Sequence, residues 1–235
     1  MHANILTLFP EMFPGTLGTA LAGKALADGK WSYAVVNPRD FATDNHKTVD
    51  DTPFGGGAGM VIKPEIIHSA VQSLPKPGRK IYLSPRGKLL NQKLAKELSE
   101  ERVLTLMCGR YEGVDQRPLD YHRFEEISVG DYILSGGELA AQVLLDAVIR
   151  LLPGVVGNAG THEEESFADN LLEYPHYTRP AVWSPAPGTE LFVPETLTSG
   201  HHAKIKSWRR EQQIAITAAR RPDLLDRHNN KGETG

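Results

Sequence analysis

Three stretches of this chain join a short apolar run to glycine and turn-forming residues: YLSPRG (82–87), MCGRYEG (107–113) and VGDYILSGG (129–137). Glycine lets a ligand approach main-chain N–H and C=O groups closely. Such groups suit an adenine edge or ribose hydroxyls, whereas a phosphate more often recruits lysine or a helix N-terminus. None of the three is G-x-G-x-x-G, and none ends in G-K-[ST]. For any one segment the alternative, that its glycines only make a tight turn, stays open. The cluster DDTPFGGGAGM (50–60) is not a P-loop, because Lys63 is misplaced for that role; it reads as a flexible loop near a substrate. His46 and the His201-His202 pair lack a spaced third ligand, so no metal site is read. Cys108, at a strand end, reads as a small packing residue rather than a nucleophile.

The elements around these segments alternate. ANILTLF (3–9), WSYAVV (31–36), KIYLS (80–84) and RVLTLMC (102–108) read as strands, and helices are expected over 17–26, from Pro64, and after an Asn91 cap with Leu90, Leu94 and Leu98 at every fourth position. Short apolar strands alternating with helices imply an α/β fold with a largely parallel sheet covered on both faces. In such a sheet ligands bind beyond the carboxyl ends of strands, so three glycine-bearing strand ends can wall one pocket. Glu138 to Leu152 is the clearest helix: Glu138, Gln142, Asp146 and Arg150 form one winding polar stripe and everything else is apolar. That pattern suits a helix at a subunit interface or one lining a site. For Arg150 an i,i+4 ion pair with Asp146 is compatible with a functional role.

The net charge of −3 excludes a chain that is basic all over. Its distribution says more. Thr161 to Tyr174 holds five acids and no Lys or Arg, whereas Gly200 to Arg221 holds six Lys or Arg and one acid. A basic segment behind an acidic connector points to a polyanionic partner, with a solvated helix face as the alternative. The expected organisation is a first domain over 1–158, a connector over 159–174, disordered to about 172, and a small helical domain over 175–235. In the last, Ile205, Trp208, Ala215 and Ala219 face inward from a helix over 203–221, Lys206, Arg209 and Arg210 face out, and the tail HNNKGETG is disordered. The start MHANILTLFPEMF lacks the basic region of a secretory signal, and Cys108 is the only cysteine, which favours a reducing compartment. No apolar run approaches the ~20 residues a membrane helix needs. A cytoplasmic, non-membrane protein is expected.

LFPEMF (8–13), NPRDF (37–41), TVDDTPFGGGAGM (48–60), YLSPRG, CGRYEGVD (108–115), VGDYILSGGE (129–138), LLPGVVGN (151–158), PHYTRP (175–180) and LTSGHHAKIKSWR (197–209) occur here in one order. In these motifs, and over nearly its whole length, the chain closely resembles the bacterial tRNA (guanine-N1)-methyltransferases, the TrmD family of the SPOUT class. The resemblance implies a SPOUT-type parallel sheet whose C-terminal part is threaded into a deep trefoil knot, an exception to the usual connection rules, plus the small C-terminal helical domain. It implies S-adenosylmethionine held bent in the knot loops by Leu83, Ser84, Pro85, Gly109, Val129, Gly130, Asp131, Tyr132, Ile133, Leu134 and Gly136. It implies a homodimer with each active site built from both subunits, and methyl transfer to N1 of guanine 37 of tRNA.

By the same resemblance Glu165 maps to the base that takes the N1 proton, with Asp169 as second candidate, and Arg150 to the arginine facing guanine O6. Lys204, Lys206, Arg209 and Arg210 are expected on RNA phosphates. No motif bears on Mg²⁺, which stays open as a second cofactor. An acid at 165 and an arginine at 150 favour an enzyme over a knotted RNA-binding module without catalysis.

Overall fold

The computed structural model describes residues 1–156, 165–167 and 169–230, and the chain divides into two compact units, Met1–Gly157 and Asn158–Gly235. The first runs β1 (His2–Leu6), α1 (Ala20–Ala27), β2 (Ser32–Val36), β3 (Asp50–Asp51), β4 (Val61–Ile62), α2 (Pro64–Gln72), β5 (Arg79–Leu89), α3 (Gln92–Ser99), β6 (Val103–Cys108), α4 (Gln116–Tyr121), β7 (Glu125–Ser128) and α5 (Gly137–Ile149). Five strands form a parallel sheet in the order β2-β1-β6-β5-β7. Alternation along each strand sorts the core by face. Ala3, Ile5, Ile81, Leu83, Leu104, Leu106 and Cys108 pack on one side with residues of α1, α3 and α5. Leu6, Tyr82 and Met107 pack on the other with residues of α2 and with Leu119 of α4. The two-sided cover explains why β1 and β6 read as continuous apolar runs.

The expected Asn91 cap is present: its side-chain oxygen accepts from the Leu94 amide at 2.9 Å, a contact of about 1 kcal/mol in kind. Other elements differ from expectation. The strand expected over 80–84 continues to Leu89, with a register shift between Leu83 and Lys88 where it pairs with β7. The strand expected to end in the 129–137 segment is β7, which closes at Ser128; at the sheet edge it tolerates Glu125 and Glu126, which hide its pattern. The polar stripe of α5 divides between an inner and an outer face. Glu138 and Gln142 are buried, and Leu139 and Val143, each 49% exposed, share the outward face with Asp146. Tertiary partners make the inward turn affordable. Thr7 donates to Glu138 at 2.7 Å, Thr16 donates to Gln142 at 3.1 Å, and Gln142 donates to the Met12 carbonyl at 3.0 Å.

α4 is fastened to α2 by His122, whose Nε2 lies 3.0 Å from Nδ1 of His68. Burial, then His68, then Lys80 hold the His122 imidazole below its usual range. A histidine whose folded pKa is depressed contributes stability that is present above the unfolded value, about 6.5, and lost as pH falls through the lowered folded value. The thermal midpoint is therefore expected to drop between pH 7.5 and pH 5, and to drop less in His122→Gln. Equal drops in the two proteins would contradict this.

The second unit contains a hairpin of β8 (Val182–Ala186) and β9 (Thr189–Phe192), then α6 (Glu195–Thr198), α7 (His202–Arg220) and α8 (Pro222–Asn230). The hairpin and α8 were not expected. α8 takes in His228, Asn229 and Asn230, which the sequence suggested were tail; residues 231–235 lie outside the described residues. Facing on α7 also differs. Ala215 and Ala219 are exposed, and Thr217 is the buried residue, its hydroxyl accepting from the Leu172 amide at 2.8 Å. Of the connector expected to be disordered, 157–164 and 168 lie outside the described residues. Of the rest, Phe167 and Asp169 are exposed and Leu171 is buried, as is Tyr174 just beyond, apolar burial that the acid-rich reading discounted. Among the described residues no helix is long and apolar enough to cross a membrane.

Candidate active site

β5, β6 and β7 lie side by side, and residues 82–85 within β5 together with the segments that follow β6 and β7 wall one cleft of about 270 Å³. β6 is reached from β5, and β7 then returns past β5, so the cleft sits where strand order reverses, the general place for a ligand in an open parallel sheet. Leu83, Ser84, Pro85, Gly109, Val129, Gly130, Tyr132, Ile133, Leu134 and Gly136 all line it. Asp131 is exposed and is not among the lining residues. Tyr82, Arg110, Tyr111, Glu112, Gly113, Ser135 and Gly137, inside the three segments but not named among the ligand contacts, also line it, as do Ile127, Ser128 and Ala140 outside them. Most flank the expected positions, so only the extent of each segment was missed. Arg110 and Glu112 sit inside CGRYEGVD and were legible as charged residues in a candidate loop.

The lining is chemically specific. Arg110 and Glu112 are its only charged side chains, and it has no lysine. It therefore suits an uncharged heterocycle and hydroxyls better than a polyphosphate. Tyr132 and Ile133 stand 54% and 81% exposed at its rim, apolar surface that a ligand can cover. The 129–132 turn holds itself: the Ser128 hydroxyl donates to the Gly130 carbonyl at 3.0 Å, and the Tyr132 amide donates to that same carbonyl at 2.9 Å. The glycine-rich 50–60 loop reaches this wall through Glu112, whose amide donates to the Met60 carbonyl at 2.9 Å. Tyr111 adopts φ +58° beside it, a left-handed conformation uncommon for a residue with a Cβ.

Burial, then Glu138, pushes the Cys108 thiol well up, which makes it a packing residue and no nucleophile. Gly137 donates its amide to the Gly109 carbonyl at 2.9 Å, and a Cβ there would lie 2.7 Å from Cα of Cys108. At Gly136 a Cβ would lie 2.6 Å from both Cζ of Arg110 and Oε2 of Glu138. Backbone angles are not the obstacle there; space is. Gly136→Ala is accordingly expected to destabilise the protein by about 1–3 kcal/mol through overpacking, read as a lower urea midpoint at unchanged slope; an unchanged midpoint would count against it.

Arg150 follows α5 directly and is half-buried. The helix has 13 residues and its first turn lines the cleft. At ~1.5 Å per residue, Arg150 is roughly 20 Å from Gly137. Within one chain it does not reach the cleft its own helix leaves. Glu165 is half-buried in the second unit, where Asp169 pairs with Arg210 at 3.1 Å. Of the expected RNA contacts, Lys204 and Lys206 are exposed, whereas Arg209 and Arg210 are half-buried, Arg209 over the Tyr174 ring at 4.8 Å. Among the described residues no group of three or more His, Cys, Asp or Glu is placed to hold a metal ion.

Fold and cleft together define a class: α/β proteins with a glycine-rich cleft at the carboxyl edge of a parallel sheet. Within that class the chain belongs to the tRNA (guanine-N1)-methyltransferase family, since the family model described as "tRNA (Guanine-1)-methyltransferase TrmD" matches residues 1–227. It is 59% identical over 229 residues to the tRNA (guanine-N(1)-)-methyltransferase of Rhodospirillum rubrum, covering 97% of this chain and 94% of that one. It is 55% identical to the Mesorhizobium japonicum protein of the same name, covering 96% and 97%. It is 54% identical to that of Pelagibacter ubique, covering 97% and 98%.

Proposed function

We propose that this chain methylates N1 of guanine 37 in tRNA, with S-adenosylmethionine as methyl donor, in the cytoplasm. The observation that carries the reading is the cleft. Its three backbone-rich walls, low charge and exposed apolar rim fit an adenosine joined to a short amino-acid tail. Bound there, S-adenosylmethionine supplies an electrophilic sulfonium methyl group. The protein's part is to hold that methyl in line with N1 and to take the N1 proton, which guanine retains at neutral pH. Glu165 accepts the proton as N1 bonds to the methyl carbon and the carbon–sulfur bond breaks. Arg150 stabilises negative charge gathering on guanine O6. Asp169 is the weaker candidate for the base, because Arg210 and His228 already engage it.

The length of α5 favours a homodimer. An arginine roughly 20 Å from its own cleft is best used in a partner's, and Leu139 and Val143 offer the apolar face that such a pairing covers. The knot is part of this reading. The close approach of Gly137 to Cys108 and Gly109 draws the chain after β7 back against the loop after β6. In the second unit, exposed Lys204 and Lys206 meet tRNA phosphates, which position the substrate without reading bases. Transfer of label from S-[methyl-³H]adenosylmethionine to a tRNA transcript with guanine at positions 36 and 37 tests the reading; no transfer by folded protein at micromolar concentration would end it.

A further inference from the structure

A buried ion pair stands behind one wall of the cleft. Glu138 opens α5 with its side chain 1% exposed, and its Oε2 lies 3.0 Å from Nε of Arg110, whose side chain is 18% exposed. The other carboxylate oxygen accepts from Thr7 at 2.7 Å. The guanidinium lies 4.2 Å from the centre of the Phe9 ring, and its Nη1 donates to the Ser135 carbonyl at 3.2 Å. Gly136 rests against both members, with no room for a Cβ. The pair thus ties the ends of β1 and β6 and the start of α5 to two consecutive main-chain units of the 129–137 segment.

Stability alone does not account for this arrangement. Burying two charges costs several kcal/mol per ion, and well-packed apolar residues of similar volume often do as well or better. What an apolar pair cannot do is hold a carbonyl at a fixed point. We infer that Arg110 and Glu138 are positioning residues that set the Ser135–Gly136 backbone in its ligand-ready conformation. Glu138 acts through Arg110, since it is too buried to touch a ligand itself. Arg110 has to be arginine, because only its planar fork reaches the carboxylate and the carbonyl together; a lysine supplies one point charge. Preorganising the loop removes an ordering cost that the ligand would otherwise meet on binding.

This inference rests on the reading of the cleft as an S-adenosylmethionine site, and the test separates the two. Arg110→Met/Glu138→Met and Arg110→Lys are compared with the wild type. The measurements are thermal midpoint, calorimetric titration with S-adenosylhomocysteine, and amide hydrogen exchange over 130–137 without ligand. The double variant is expected to hold its midpoint within a few degrees, to bind S-adenosylhomocysteine about tenfold or more weakly, and to exchange faster over 130–137. Arg110→Lys, which keeps the charge pair, is expected to show the same two losses at smaller size and answers the question alone should the double variant not fold. Wild-type affinity and exchange in Arg110→Lys, or in a folded double variant, would overturn the positioning role. A wild type that does not bind S-adenosylhomocysteine would overturn the cleft assignment instead, and the exchange rates would still decide the role of the pair.

Discussion

Glu165→Gln is expected to lose about 10²–10⁴-fold in turnover, the range a general base supplies, while its affinity for S-adenosylmethionine stays at the wild-type level. The glutamine keeps size and hydrogen bonding but cannot accept a proton as a carboxylate does. The cleft walls belong to the first unit and Glu165 to the second, so wild-type ligand affinity shows that the loss does not come from the cleft. The loss should shrink as pH rises from neutral toward the pKa of guanine N1, where less help is needed to remove the proton. Near-normal turnover in Glu165→Gln with loss in Asp169→Asn would move the base to Asp169, at the cost of its contacts with Arg210 and His228.

Arg150→Ala is expected to lower turnover by about 10²–10³-fold, as removal of a donor to a developing oxyanion does. Its sharper consequence concerns subunits. On the proposed homodimer reading, Arg150, roughly 20 Å along its helix from Gly137, completes the other protomer's site. Co-expression of Arg150→Ala with a chain whose cleft is blocked, such as Gly109→Trp, should therefore recover activity that neither homodimer has. In the mixed dimer one site combines an intact cleft with an intact Arg150. Isolated mixed dimers as inactive as their parents would show that Arg150 serves its own chain, or nothing. The cleft-blocking substitution is chosen for space: even a Cβ at Gly109 would lie 2.8 Å from the Tyr82 hydroxyl.

How much of this could be read beforehand depended on whether the signal was local. The three cleft segments were legible because each is a strand end plus glycine, and a parallel sheet fixes where strand ends go. The Asn91 cap was legible for the same reason: its partner, Leu94, is three residues away. The orientation of α5 was not. Glu138 and Gln142 turn inward because Thr7, Thr16 and the Met12 carbonyl await them, 131, 126 and 130 residues distant in sequence. Hydropathy gives no sign of such partners, so which part of the stripe turns inward was not readable. The same failure placed Ala215 and Ala219 inside α7 and left Thr217 out, although Thr217 holds the Leu172 amide. The body of β7 was hidden, although the segment after it was read, because an edge strand of four residues can carry two glutamates. Arg110 was passed over because its role lies in a partner, Glu138, that only the fold brings near.

The central claim is a site-specific chemical product, and nucleoside mapping tests it most directly. A tRNA transcript with guanine at positions 36 and 37 is incubated with the protein and S-adenosylmethionine, then digested and analysed by mass spectrometry. The account predicts 1-methylguanosine in the fragment that contains position 37, and its absence when position 37 is adenine. A methyl group on another guanine atom, at another position, or nowhere, with protein that binds S-adenosylmethionine, would contradict it.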